Sequence, residues 1–376
     1  MANKLFVMWL AILGVTFYNF APFLVGAVIE LPTITEAQGG WIASANMLGL
    51  CLALVLAATL IRAWPQARVA LIGLIGMSVG NILSGLGEGI GALLFSRTLT
   101  GLGEGFVIAT AIRSIKGFEN PDRIFALMMA GMSIYGMLGL LMLPSIIRNV
   151  GIHTTFMLLA ALPLITLLFL KWAPLPESRT EEIVVRKNVI PTTGIFLLVS
   201  IFLVYVGTNG VWAYYERIGA SSSIAAGDIG VALSAALFAS LLGSILAAAI
   251  STRYGRQLPI LGGLAICASS ALFLLGDINL VQYSTSAILL FGGTGFIFAY
   301  YMGQLTELDP MGSLPTLGFL AVFIGNMVGP GAASFFVGGS TYQLLAWAEF
   351  FTFAFAGLLI IFAFSQFSSE KRKVLL

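Results

Sequence analysis

Residues 5–29 read LFVMWLAILGVTFYNFAPFLVGAVI, with no Asp, Glu, Lys or Arg among them. About 20 apolar residues, rising about 1.5 Å each, cross a hydrocarbon core of about 30 Å, so this stretch predicts a membrane-spanning helix. The run behind Met1-Ala-Asn-Lys4 is too long for the apolar core of a signal peptide, and no small-residue cleavage site follows it. Working outward from it, eleven more stretches qualify, at about 41–61, 69–87, 91–112, 124–147, 152–172, 192–216, 229–251, 258–276, 283–303, 316–339 and 342–365. The expected fold class is an all-α integral membrane protein with twelve transmembrane helices.

Composition leads to the same conclusion. Of 376 residues, 59% are hydrophobic and only 9% charged, with a mean hydropathy of +1.01. Soluble domains carry about 25% charged residues, so this chain lacks the side chains to cover a surface in water. A soluble enzyme, a coiled coil, a disulfide scaffold and a disordered chain are all excluded. A net charge of +2 gives no reason to expect nucleic acid as a partner. Cys51 and Cys267 lie in separate apolar runs and read as small hydrophobes. His153 stands alone, which leaves no histidine cluster for a metal. No Walker motif and no catalytic cluster of usable spacing occurs, so no cofactor and no enzymatic activity are expected.

Cytoplasmic loops are enriched in Lys and Arg. With the N-terminus inside, fifteen cations fall on the cytoplasmic side, Arg148 and Arg217 fall outside, and Arg97 lies within a span. Both termini are therefore expected in the cytoplasm of a multi-pass protein of the cell (inner) membrane. The densest charge run, with Glu177, Arg179, Glu181, Glu182, Arg186 and Lys187, separates spans six and seven. It divides the chain into an N-terminal six-helix bundle over residues 1–173, a cytoplasmic linker over 174–191 and a C-terminal six-helix bundle over 192–376. The halves repeat: loop Gln66-Ala67-Arg68 is echoed by Arg253-Tyr254-Gly255-Arg256, and Gly136, Gly139 and Pro144 of span five by Gly325, Gly329 and Pro330 of span eleven. Parallel repeats of this kind build many secondary transporters.

Span four, Arg97-Thr-Leu-Thr-Gly101-Leu-Gly103-Glu104-Gly105, resembles the RxxxGxG motif of the major facilitator superfamily. The loop ending Arg253-Tyr254-Gly255-Arg256 resembles that family's loop signature, with Thr252 where an Asp is usual. Gly325-Asn-Met-Val-Gly329-Pro330 resembles the antiporters' GxxxGP element, but it stands in span eleven rather than span five. The resemblance covers all twelve spans. It implies alternating access by rocking of two halves, a central solute path lined mainly by spans one, four, seven and ten, and a monomer.

The rare polar side chains within the spans agree with that lining. An ionisable group at mid-membrane costs about 2.5–3.5 kcal/mol and normally faces protein or water. Arg97 and Glu104 share a face of span four, about 10 Å apart along the axis, so each should find its partner elsewhere. Arg97 reads either as a substrate ligand or as a clamp on a neighbouring helix. Glu104 reads either as a proton carrier or as a packing hydrogen-bonder. Span seven carries a polar, aromatic stripe of Tyr205, Thr208 with Asn209, Trp212, and Tyr215 with Glu216. Span ten adds Thr294, Tyr301 and Gln304, and span one adds Tyr18 and Asn19 before Pro22, where a kink is expected. Glu349 in span twelve reads as a coupling site or as a partner for span eleven, with Asn326 the expected contact.

Together these assign substrate binding to Arg97, Tyr18, Asn19, Tyr205, Asn209, Trp212, Tyr215, Thr294, Tyr301 and Gln304, and proton coupling to Glu104, Glu216 and Glu349. The expected function is secondary active transport of a small organic solute, proton-coupled, with an organic anion suited to Arg97. Proton-driven efflux of lipophilic or cationic compounds competes with it, as does a non-transporting membrane sensor. The expected partners are the solute, protons and the lipid bilayer.

Overall fold

Gly151 stands at φ +76°, a backbone setting open to glycine and strained for other residues. There the long helix α6 (Pro121–Phe169) divides into two arms, 121–150 and 152–169. The computed structural model describes residues 2–61, 63–115, 117–170, 175, 191–309, 313–338 and 342–375. Apart from Leu175 and Pro191, the linker expected at 174–191 lies outside the described residues.

The described residues form helices throughout: α1 (Ala2–Leu13), α2 (Thr16–Ile29), α3 (Glu36–Ala58), α4 (Gln66–Leu86), α5 (Ile90–Ile115), α6, α7 (Thr192–Trp212), α8 (Tyr215–Ser221), α9 (Ala226–Ile250), α10 (Gln257–Leu272), α11 (Leu280–Leu308), α12 (Ser313–Ala333) and α13 (Gln343–Leu375). Ten segments are long and apolar enough to cross a membrane. One of these is the two-armed α6, and the shorter apolar α10 completes twelve crossings. Local sequence starts several of them. Thr35 with Gln38 makes a capping box on α3, and Asn279 with Gln282 makes another on α11.

Span one departs from expectation. Pro22 sits inside a continuous α2, and the helix breaks earlier, at Gly14-Val15. A proline lacks only its own N–H, and α2 carries on past it. At Gly14 the chain lies so close to α5 that an added Cβ would strike Ile108 and the Glu104 carbonyl. Close approach to α5 therefore accompanies the break, and the break exposes a fresh helix N-terminus at Thr16.

The chain divides into two compact units, Met1–Glu182 and Ile183–Leu376. In the first, α5 packs between α3 and α4, α4 packs on α6, and α1 and α2 pack on α6. Val7, Leu10 and Ala11 of α1 close a core with Leu74 and Met77 of α4, Val107 and Ala111 of α5, and Ile124 and Met128 of α6. In the second, α11 packs between α9 and α10, α10 packs on α13, and α7 packs on α12 and α13. The repeat noted in the sequence thus recurs as the same neighbour relations in each unit.

Small residues make these contacts possible, as they do where lipid removes the hydrophobic drive between helices. A Cβ on Gly101 would overlap the Asn46 carbonyl of α3, whereas one on Gly103 would meet the backbone of α4 at Met77. The GxGxG run therefore lets α5 lie close to both neighbours at once. Leucine, isoleucine and phenylalanine cover the outside: Leu71, Ile75, Leu246, Phe355 and Phe362 are all exposed. That is a surface suited to acyl chains.

Candidate functional site

The first unit buries one acidic and one basic side chain in α5, each 1% exposed. Glu104 is held from two other helices. Its Oε1 accepts the Phe17 N–H at 3.0 Å, and its Oε2 accepts from Asn46 Nδ2 of α3 at 2.6 Å. Phe17 is the second residue of α2, so its N–H has no intrahelical acceptor and the helix end favours negative charge. The break at Gly14-Val15 is what places that donor beside Glu104.

Arg97, just under two turns earlier, points to α4. Nε donates to Ser84 Oγ at 2.9 Å; Nη2 donates to Asn81 Oδ1 at 2.8 Å, to Thr100 Oγ1 at 2.9 Å and to the Gly80 carbonyl at 3.4 Å. The guanidinium also lies 4.6 Å from the Phe156 ring centroid and 5.6 Å from that of Phe17. Phe17 thus touches both ionisable groups, Glu104 by its backbone and Arg97 by its ring. Nearby on α2, Thr16 pairs with Tyr135 at 3.1 Å and Asn19 donates to the Met132 carbonyl at 3.2 Å, both on α6. Tyr18 is half-buried.

The second unit takes up the remaining candidates. Tyr205, half-buried, meets Phe298 of α11 edge-on at 6.5 Å. Thr208 meets Thr294 at 3.3 Å, and Tyr301 meets Ser200 of α7 at 2.6 Å. Trp212 packs on Phe291 at 4.6 Å, and Tyr215 bonds Ser286 at 2.8 Å. Gln304 is buried in α11, and Glu216 pairs with its neighbour Arg217 at 2.7 Å. The stripe read along span seven therefore packs largely on α11, and it is interrupted at Ala213-Tyr214, where α7 ends and α8 begins. Asn326 does not serve Glu349 as expected: it accepts from Asn209 of α7, and Glu349 Oε1 instead accepts from Ser270 of α10 at 3.0 Å. The helix neighbours explain the change, since α12 packs on α7 while α10 packs on α13.

Two partners have different standing in the sequence. Ser84 lies three residues from Asn81, so a polar face toward Arg97 was visible in α4. Phe17 gave no sign, because its contribution is a backbone N–H freed by a helix break. Among the described residues, no three His, Cys, Asp or Glu side chains gather closely enough to hold a metal ion.

Two repeated six-crossing units with ionisable groups sealed inside a lipid-facing shell define a multi-pass membrane transporter. A profile of the Major Facilitator Superfamily matches residues 5–317, and the chain belongs to that family. It is similar to the uncharacterized MFS-type transporter YceJ of Bacillus subtilis (strain 168), 26% identical over 317 residues that cover 80% of each protein. Its fold is also that of a bacterial homologue of the human lysosomal transporter Spinster, solved facing inward. The unoccupied form gives a TM-score of 0.69 at 13% identity, covering 96% of this chain and 95% of that one. The occupied form gives 0.73 at 15% identity, covering 96% of each.

Proposed function

We propose that this transporter carries a small organic solute by alternating access, coupled to protons through Glu104. The observation that carries the reading is the pair of hydrogen bonds joining the Glu104 carboxylate to Phe17 N–H and to Asn46 Nδ2. A buried carboxylate is costly in a membrane and is kept where it has work to do. This one is provisioned for both protonation states. Charged, it accepts from Phe17 and Asn46. Protonated, it needs an acceptor for its own O–H, and Asn46 Oδ1, buried and without a hydrogen-bond partner among the described residues, becomes available by rotation of the amide. Taking up a proton therefore rearranges the bridge between α5, α3 and the start of α2.

Arg97 has a different part in this reading. Nε and Nη2 donate to Ser84, Asn81 and Gly80 of α4 and to Thr100 of its own helix, so it positions α4 against α5 and contributes positive potential near Glu104. Contact with the solute is assigned within each unit separately: in the first to the half-buried Tyr18 and the buried Asn19, and in the second to the half-buried Tyr205 and the buried Asn209 and Gln304. The orientation is that of the cation count, with both termini in the cytoplasm of the cell membrane.

The test begins with a thermal-shift screen of solutes on the purified protein, since a bound ligand raises the melting temperature by mass action. Solutes that register are then followed in proteoliposomes under an imposed pH gradient. Glu104→Gln is expected to reduce gradient-driven flux to background while retaining solute exchange. Unchanged driven flux in that variant overturns the coupling role.

A further inference from the structure

The second unit also contains a cavity of about 520 Å³, lined entirely by α7, α12 with the 3-10 turn after it, and α13. Gly207 and Gly210 form its α7 wall where that helix comes close to its neighbours: an added Cβ would lie 3.3 Å from Phe353 of α13 and 3.1 Å from the Gly329 carbonyl of α12. Trp347, Phe351 and Phe355 recur along one face of α13 at its rim, and all three are exposed on the outside of the protein. In a bilayer that rim meets acyl chains. The volume lies in the usual range for a small-molecule site, about 300–1,000 Å³.

One ionisable side chain lines this apolar space. Glu349 is 2% exposed, and its Oε1 accepts from Ser270, but its Oε2 is buried without a hydrogen-bond partner among the described residues. Buried polar atoms without a partner are rare and costly, so an unpaired carboxylate oxygen beside an open cavity calls for a donor from outside the chain. Glu349 lies six residues into α13, about 9 Å along its axis, a depth reached from the lipid side. The Trp347 and Phe351 rings, stacked at 5.9 Å, lie on the exposed side of α13, across the groove from the buried carboxylate.

We propose that this groove binds a long-chain alkyl amine entering from the bilayer, with its ammonium on Glu349 and its chain along Phe351 and Phe355. An anionic head group is repelled by the carboxylate, and a bare chain leaves Oε2 unpaired. The site stands apart from the coupling role of Glu104, so its test reads binding and not flux.

The full chain is placed in phosphatidylcholine nanodiscs and titrated with dodecylamine, dodecanol or dodecanoate, each brominated on a carbon close to the head group, the part of the probe nearest Trp347. Quenching of tryptophan fluorescence is recorded, and the Trp347 share is isolated by comparison with Trp347→Phe. The expected result is Trp347 quenching by the amine at tenfold or more lower concentration than by the alcohol or the acid. Glu349→Gln is expected to remove that preference while leaving the alcohol unchanged, and Ala332→Phe, which fills the groove beside an intact carboxylate, to weaken all three. Equal quenching by the three probes in the unaltered protein marks an acyl-chain crevice and overturns the proposal. Undiminished amine preference in Glu349→Gln, or undiminished amine quenching in Ala332→Phe, overturns it as well. The comparison of probes in the unaltered protein decides the matter even where a variant fails to fold.

Discussion

Between them, the Glu104 and Asn46 side chains hold two carboxylate oxygens, an amide oxygen and an amide nitrogen, and only the amide oxygen lacks a partner. That asymmetry separates two substitutions that look alike on paper. Glu104→Gln retains an acceptor for Phe17 N–H and places an NH₂ opposite Asn46, whose amide turns its free oxygen to receive it. Glu104→Ala abandons both the helix-end donor and the asparagine. A buried donor left unsatisfied costs about 1–3 kcal/mol. The alanine variant is therefore expected to lose about 2 kcal/mol or more, and the glutamine variant less than about 1 kcal/mol. Equilibrium unfolding in mixed micelles checks this, and equal losses would show that Asn46 cannot turn. Such a result would also remove the acceptor on which the protonated state of Glu104 depends.

At the scale of single helices, α5 shows what could be read from sequence and what could not. The glycines of its motif stood out in the sequence, and the structure uses them for packing: Gly101 faces α3 and Gly103 faces α4. The spans themselves were equally legible, because an apolar run of bilayer length has no other stable use. The break in span one was not. Pro22 drew attention as a helix breaker, yet the interruption at Gly14-Val15 goes with a close approach to Ile108 and Glu104, a tertiary contact with no local signature. The partners of Glu349 and Asn326 were misassigned for the same reason, since one-dimensional spacing does not say which helices are neighbours. The glycine contacts give a prediction of opposite signs within one helix. Gly101→Ala drives a methyl into the Asn46 carbonyl and is expected to cost roughly 1–3 kcal/mol by overpacking. Gly91→Ala, with nothing within 4 Å of its added carbon, is expected to be neutral or to stabilise by up to about 1 kcal/mol. Melting temperatures of the two purified variants should move apart, and a common loss would mean that α5 tolerates no side chain anywhere.

Across the whole chain, charge is distributed by end. Lys4 near the start of α1, Arg68 at the start of α4, Arg113 near the end of α5 and Arg123 near the start of α6 fall at one end of the first unit's up-and-down helices. Contacts tie that end together: Lys4 lies over the Phe118 ring at 5.8 Å, and Gln66 bonds Ser114. In the second unit Arg253 and Arg256 stand between α9 and α10, with Arg256 paired to Glu307 near the end of α11. The opposite ends carry Arg148 and Arg217. Cytoplasmic loops are enriched in Lys and Arg, and the proposed orientation rests on this segregation. It predicts a labelling pattern in a background with Cys51 and Cys267 changed to alanine. Thr252→Cys, exposed beside Arg253, is expected to react with an impermeant maleimide only after the cells are permeabilised. Asp277→Cys, exposed between α10 and α11, is expected to react in intact cells. The reverse pattern would invert the orientation while leaving every helix contact in place, because orientation depends on where the cations stop and packing depends on which faces fit.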